Sequence, residues 1–429
     1  MEGSQPNSLN EQKITNSIKS RSISSYDISE SQTVCRDLKS FCSEPRFFDS
    51  GFYGSRNFLV GSFGGSSGSM LGQRELEKRF PNRKMTLRII SWNMAAQHPL
   101  FCVEYFIELL LPGADSSPAE IFIFCVQEAP SNRREILVQM QSALGPNYVL
   151  FTHATNGSLD TSVFIHRDLI WYISVPQCSG ICTRSAVHTK GAVLLSFILF
   201  GTSFAVVNAH FKANERNFNQ RLQDYNKILE DFDLPKPGFT SGYRHKCANP
   251  MDRFDHVFWA GDLNFRITKC RAEVDQLLAC PNAVRHVKSL LEADELRKAM
   301  ETGQIFEGFE EGEISFLPTF KFDKNSDAYD SSEKQRVPSY TDRILYRSKR
   351  KEDVKCIAYD SIPHVRCSDH RPVYAVFTVS LKSGRDNIAL SAGAFHREIY
   401  IEGNRRRALQ FDLAPKKAPL QKNKGCSIQ

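Results

Sequence analysis

The sequence predicts an α/β sandwich, with sheet packed on sheet and helices outside. Eight short apolar runs of strand length follow one another between Leu87 and Val379, the texture of strands buried on both faces. Stretches of helical spacing and turn residues separate them, and no internal repeat is visible.

Residues 1–70 are rich in Ser, Gly, Asn and Gln, and "SRSISSYDISESQ" and "GSFGGSSGSM" lack the apolar periodicity of a core, which predicts a disordered arm. The strand runs then follow as "LRIISWNM", "IFIFCVQE", "YVLFTHAT", "SVFIHRD", "AVLLSFILF", "FAVVNAHF", "HVFWAGDL" and "VYAVFTV". Among them, Leu222, Tyr225, Leu229 and Phe232 recur at helical spacing before the breakers Pro235 and Pro237, and a second helix is predicted near Val284 to Met300. Gly191 to His210 carries no charge over a length that could span a membrane, but Gly201, Thr202 and Ser203 split it into two strands and a tight turn. The domains predicted are the arm at 1–70, a catalytic domain at 71–382 and a basic tail at 383–429.

Composition sets outer limits. With 41% hydrophobic and 24% charged residues the chain is no disordered protein overall, and a net charge of +7 favours anionic partners: nucleic acid, anionic lipid or phosphorylated small molecules. The first residues lack the basic flank and apolar stretch of a secretory signal, which predicts a cytosolic protein. Its 12 cysteines follow no metal spacing, since Cys178 and Cys182 have no matching pair, and free thiols are expected.

Polar residues gather at the ends of the apolar runs: Asn93, Glu128, His210, Asp262 with Asn264, and Asp369 with His370. Each alone reads as a turn residue, but a polar side chain against a buried strand is costly unless partnered, so the shared position predicts a common cleft. The residue types suit metal-assisted phosphate ester hydrolysis. Glu128 and Asn93 offer the oxygens a magnesium ion takes, Asp262 can orient and deprotonate a water with Asn264 helping to hold it, and His210 and His370 can donate to the non-bridging oxygens.

The segments "SWNM", "VQE", "AHF", "WAGDLNFR", "FLPTFKFD", "RVPSYTDRILY" and "SDHRPVYAVF" resemble, in order, those of inositol polyphosphate 5-phosphatases. The similarity covers roughly residues 70–403 and the last four residues. It implies a four-layer β-sandwich flanked by helices, the DNase I-like (endonuclease/exonuclease/phosphatase) fold, and magnesium-dependent removal of the 5-phosphate from phosphoinositide lipids. It also implies that Glu128 and Asn93 serve the metal, that Asp262 activates water, that Asp342 fixes His370, and that Asp369 lies beside the metal or behind it. Lys321, Lys334 and Arg336 would contact the 4-phosphate, where Phe320 replaces the family's usual tyrosine.

The last residues, Cys426-Ser427-Ile428-Gln429, fit a prenylation signal, and Lys416, Lys417, Lys422 and Lys424 would add attraction to an anionic leaflet. "FHREIYI" resembles a ciliary-targeting stretch of the family. The expected setting is a cytoplasmic membrane face, with cilium and Golgi implied by resemblance, a prenyl-binding carrier as partner and no nucleic acid. A nuclease on the same fold and a catalytically inert adaptor are the rival classes, distinguished by the lysine-bearing "TFKFD" segment with the prenyl anchor and by the intact set from Asn93 to His370.

Overall fold

The eight apolar runs become strands where the sequence places them, and four further strands complete two six-stranded sheets. The computed structural model describes residues 71–98, 103–110, 119–184, 189–238, 243, 247–384 and 388–413. The arm at 1–70, the tail lysines and Cys426 lie outside them. In chain order the principal elements are α1 (Gln73–Arg79), β1 (Lys84–Asn93), α2 (Val103–Leu110), β2 (Ile121–Gln127), α3 (Arg133–Leu144), β3 (Tyr148–Asn156), β4 (Leu159–His166), β5 (Gln177–Cys182), β6 (Gly191–Leu199), β7 (Thr202–His210), α4 (Phe218–Glu230), β8 (His256–Asp262), α5 (Arg271–Leu278), α6 (Val287–Leu291), α7 (Glu295–Glu301), β9 (Glu310–Glu311), β10 (Asp342–Ser348), β11 (Val354–Ser361), β12 (Val373–Ser380) and α8 (Arg397–Leu413).

One sheet has the order β11-β12-β1-β2-β4-β3 and the other β5-β6-β7-β8-β10-β9. Each contains one parallel pair, β1 with β2 and β7 with β8, set among antiparallel neighbours. Alternation explains why the runs read as continuously apolar. Leu87, Ile89, Ile121 and Ile123 enter the core shared with Val206, Phe258 and Ala260 of the second sheet, the Phe258 ring lying 5.0 Å from that of Phe377 in β12. Their neighbours Ile90, Trp92, Phe122 and Phe124 pack outward with Phe106 of α2 and Leu137 and Met140 of α3. On the far side Tyr225 of α4 stands 5.3 Å from the Trp259 ring. The result is four layers, helix on sheet on sheet on helix. The stretch from Gly191 to His210 is an antiparallel hairpin in which those two residues pair, and no described helix is long and apolar enough to cross a membrane.

Two predicted elements differ in detail. The helix expected over 284–300 breaks into α6 and α7, because Asp294 turns out of the helix and caps the next one, its Oδ1 accepting from Arg297 N at 3.0 Å. The folded body also continues beyond residue 382. Helix α8, which takes in most of "FHREIYI", lies on α3: Arg406 pairs with Glu135 at 2.6 Å, and Arg407 Nη1 donates to Ser142 O and Ala143 O at the C-terminus of α3. A Cβ on Gly403 would come within 2.5 Å of Gln141 Cγ, so a glycine there permits the close approach.

Candidate active site

The pairing registers bring chain-distant residues to one end of the sandwich. Both parallel pairs end together, Asn93 opposite Gln127 in one sheet and His210 opposite Asp262 in the other. Strand β10 runs antiparallel to β8 and starts at Asp342 opposite Asp262, while β12 begins three residues after His370, with Val373 opposite Ser91. Carboxyl ends of parallel strands are where open α/β sheets collect ligands. Backbone geometry sharpens the corner. Gly261 has φ 146, and a Cβ there would meet Ala209 O at 1.9 Å, so the residue before Asp262 must be glycine for β7 and β8 to close. Glu128 and Asn264 adopt left-handed φ of 48 and 57; asparagine tolerates this, whereas for Glu128 it is strain that its neighbours hold, Glu128 O accepting from Ala96 N at 2.8 Å.

Asp262, 2% exposed, is the hub. Its carboxylate accepts from Asn93 Nδ2 at 3.0 Å and from the Asn264 backbone N at 3.1 Å, and it lies 3.1 Å from His210 Nε2 and 4.0 Å from His370 Nε2. Burial pushes its pKa up, but His210, His370 and Lys190 outweigh that and hold it well below the usual carboxylate range. Glu128 reaches the same corner from the other sheet, 4.0 Å from His210 Nε2, with 43% of its side chain exposed.

The two histidines are perturbed in opposite directions. His370 Nδ1 lies 2.9 Å from Asp342 Oδ2, and that carboxylate also accepts from Thr319 and Thr341 hydroxyls at 2.8 and 2.9 Å. Burial alone would lower the His370 pKa, but Asp342 first, then Asp262 and Asp369, raise it to about 9. His210 is held below the ordinary imidazole range by burial and by the Lys190 ammonium, against the pull of Asp262 and Glu128. Its Nδ1 is buried with no hydrogen-bond partner among the described residues, so the ring carries its hydrogen on Nε2 and donates to Asp262.

Lys321 Nζ stands 3.8 Å from Asp369 Oδ2, placing both beside His370. The Phe320 ring lies between His370, 4.4 Å away, and the Arg266 guanidinium, 4.6 Å away. Lys334 is exposed on the loop before β10, and Arg336 Nη2 donates to Asn214 Oδ1 at 3.1 Å. Asn264 is more tightly held than the sequence suggests: its Oδ1 accepts from Arg266 Nη2 at 2.7 Å and its Nδ2 donates to Phe211 O at 3.1 Å.

Asp262, Asp342 and His370 each bring one ligand-type atom within 4.8 Å of the others, but protonated His370 has no lone pair to give and Asp342 is engaged with it, which leaves Asp262 of the three to face a divalent ion. With Glu128 and Asn93 alongside, the donor set is rich in the hard oxygens such an ion takes, so the residues fit one. Asn93 Oδ1 already accepts from Ala95 N at 2.9 Å but keeps a second lone pair.

Several residues of the cleft escaped the sequence reading. Lys190 contacts His210 Nε2. Ser368 donates to Asn93 O at 2.7 Å and accepts from His370 N at 3.2 Å, pinning the His370 loop to the end of β1. Beneath the cleft, Gln127 Nε2 donates to Asn208 Oδ1 at 2.8 Å, and Asn208 Nδ2 to Asp160 O at 2.8 Å, tying the two sheets together. The one available signal was a polar residue, Gln127 or Asn208, inside an otherwise apolar run.

Comparison with known proteins adds the family. Residues 90–376 match the model for Endonuclease/Exonuclease/phosphatase family 2. The chain belongs to that family. It is 45% identical over 357 residues to human phosphatidylinositol polyphosphate 5-phosphatase type IV, a match covering 82% of this chain and 55% of the human protein. The chain thus spans about half the length of the curated relatives it matches. Among solved structures it is similar to the inositol polyphosphate 5-phosphatase domain of SpSynaptojanin, with TM-score 0.59 and 26% identity, covering 79% of this chain and 96% of that one. A Cimex nitrophorin shares the fold at TM-score 0.54 and 22% identity, covering 70% of this chain and all of that one. That likeness concerns the fold alone, and function must be argued from the site.

Proposed function

We propose that this chain hydrolyses the 5-phosphate of membrane phosphoinositides such as phosphatidylinositol 3,4,5-trisphosphate and 4,5-bisphosphate by attack of water, with magnesium as cofactor. The observation that carries the reading is Asp262, held ionised where Asn93, His210 and His370 converge. The similar SpSynaptojanin domain was solved with inositol (1,4)-bisphosphate and calcium ion, a ligand with the 5-position free, which supports the choice of phosphate.

Glu128 and Asn93 would hold magnesium, which when bound neutralises phosphate charge and stabilises the departing alkoxide. Asp262 orients the attacking water and accepts its proton, its low pKa making it a positioning carboxylate more than a strong base. Asn264, fixed by Arg266, keeps one amide hydrogen for the water or the phosphate. Protonated His370 donates from Nε2 to a non-bridging oxygen, and Asp342 keeps it charged and oriented, while neutral His210 gives its one N–H to Asp262 and not to the phosphate, holding that carboxylate in place. Lys321, with Asp369 beside it, Lys334 and Arg336 receive the ring 4-phosphate. Cys426 would carry a prenyl group that tethers the enzyme to a cytoplasmic membrane face, with a prenyl-binding carrier delivering it to cilium or Golgi membranes.

The test is phosphate release from a panel of phosphoinositides and from duplex DNA, with magnesium and with chelator. Release from 5-phosphorylated lipids that chelator abolishes supports the reading; cleavage of DNA in its place, or no release at all, refutes it.

A further inference from the structure

Away from the cleft, the second sheet ends on β9, whose two residues pair with Leu345 and Tyr346 of β10 and leave the other edge open. The chain runs on through Gly312, Glu313, Ile314 and Ser315, and among the described residues no backbone N–H or C=O of these four has a hydrogen-bond partner. Gly312 lets the run lie close against β11, since a Cβ there would meet Cys356 Sγ and Tyr359 Cβ at 2.8 Å. Beside this edge is a groove of about 710 Å³, bounded on its far side by α6 and α7. Buried apolar residues line its floor: Val287 and Leu291 from α6, Phe309 and Ile314 from the open edge. Its rim is charged and divided. Glu310 and Glu313 stand exposed on the strand side, whereas on the helix side Arg285, Lys288 and Arg297 outnumber Glu301, and among the described residues none of these six is in an ion pair.

An open edge with free backbone groups is a template for another strand, and the charges decide which strand fits. A second copy of this chain pairing edge to edge would set its own Glu310 and Glu313 against these, like charge opposite like charge. A segment basic at those positions meets the opposite field, and one acidic toward Lys288 and Arg297 satisfies the other rim as well. We infer that this groove docks an extended segment of a partner protein, of mixed charge, which adds a strand beside residues 310–315. Its basic side chains lie by Glu310 and Glu313, its acidic side chains by Lys288 and Arg297, and apolar side chains between them cover the floor of Val287, Leu291, Phe309 and Ile314. At the rise of a strand, the six residues of the edge give such a segment about 20 Å of backbone to pair with. The groove shares no lining residue with the cleft, so the inference does not depend on the phosphatase reading.

The experiment selects binders to the whole chain from a displayed library of random linear peptides at physiological ionic strength, then measures the selected sequences as synthetic peptides by calorimetry and by hydrogen exchange. The expected winners carry both charges around apolar residues and slow exchange at residues 312–315. Glu310→Lys combined with Glu313→Lys should weaken them at least about tenfold, and a peptide whose basic residues are exchanged for acidic ones should regain that factor on the variant. Should the double variant fail to fold by circular dichroism, Glu310→Gln with Glu313→Gln takes its place, with an expected loss of about threefold. No peptide above background, winners bearing basic residues alone, unchanged affinity in the folded variant, or slowed exchange confined to the cleft of His210 and His370 each overturns the inference. A dimer of the whole chain protected at residues 312–315 assigns the edge to a second copy and overturns it too.

Discussion

His210 and His370 stand on either side of one carboxylate, yet the fold treats them as different chemical groups. His210 ends β7, leaves Nδ1 without a partner among the described residues, and shares its Nε2 side with Asp262 and Lys190; burial and the ammonium keep it neutral. His370 sits on a loop pinned by Ser368, with Nδ1 on Asp342, and stays protonated to about pH 9. Neighbouring groups, more than burial, decide the difference, since both rings are buried and burial lowers both. One histidine is a neutral donor to Asp262 and the other a cation held by Asp342.

The largest expected effect comes from removing what the two share. Asp262→Asn should leave the fold intact and lower turnover by between about 10² and 10⁴-fold, read as kcat on a 5-phosphorylated lipid. Near-normal turnover in a folded variant would refute its role. Asp342→Asn attacks one side of the comparison alone and should cost about 10²-fold. It also has a stability signature. In the folded state His370 keeps its proton up to about 9, whereas unfolded it releases it near the ordinary imidazole pKa of about 6.5, so its contribution is full below about 6.5 and lost as pH rises through about 9. That contribution is at most about 3 kcal/mol, and urea denaturation at pH 6 and pH 9.5 should show wild type losing it and the variant not. His210 carries the opposite sign: its lowered pKa favours the unfolded state as pH falls below about 6.5.

Legibility in the sequence followed the same division. Eight of the twelve strands and the seven polar residues at their ends could be read because apolar runs announce buried strands and a polar terminus on such a run needs a partner. What the sequence could not show was who partners whom across the two sheets. Lys190, Ser368 and Arg266 act through residues far along the chain or through a side-chain geometry fixed only by folding. The break at Asp294 was hidden because α6 and α7 continue one apolar periodicity, and the buried ion pair of Asp294 with Arg343, at 2.9 Å, is a tertiary fact. Arg406 and Arg407, within the basic tail predicted over 383–429, are fastened to α3.

Phe320→Tyr sharpens the His370 side of the comparison, because this ring lies against the imidazole. A restored phenol beside Lys321 should improve kcat/KM roughly 10-fold for phosphatidylinositol 3,4,5-trisphosphate and leave phosphatidylinositol 3,5-bisphosphate unchanged. Equal effects on both lipids would mean the ring acts by packing against His370 alone. Smallest in its effect on chemistry is Cys426→Ser. It should move the protein from membrane pellets to the soluble fraction while hydrolysis of a short-chain lipid stays the same, and a variant that still sediments would rule out prenylation as the main tether.

The central claim is the position of the phosphate that leaves. Wild type and Asp262→Asn should be given phosphatidylinositol 4,5-bisphosphate with magnesium and the lipid product identified by chromatography. The account predicts phosphatidylinositol 4-phosphate from wild type and little product from the variant; phosphatidylinositol 5-phosphate as the product, or equal turnover by the two proteins, would contradict it.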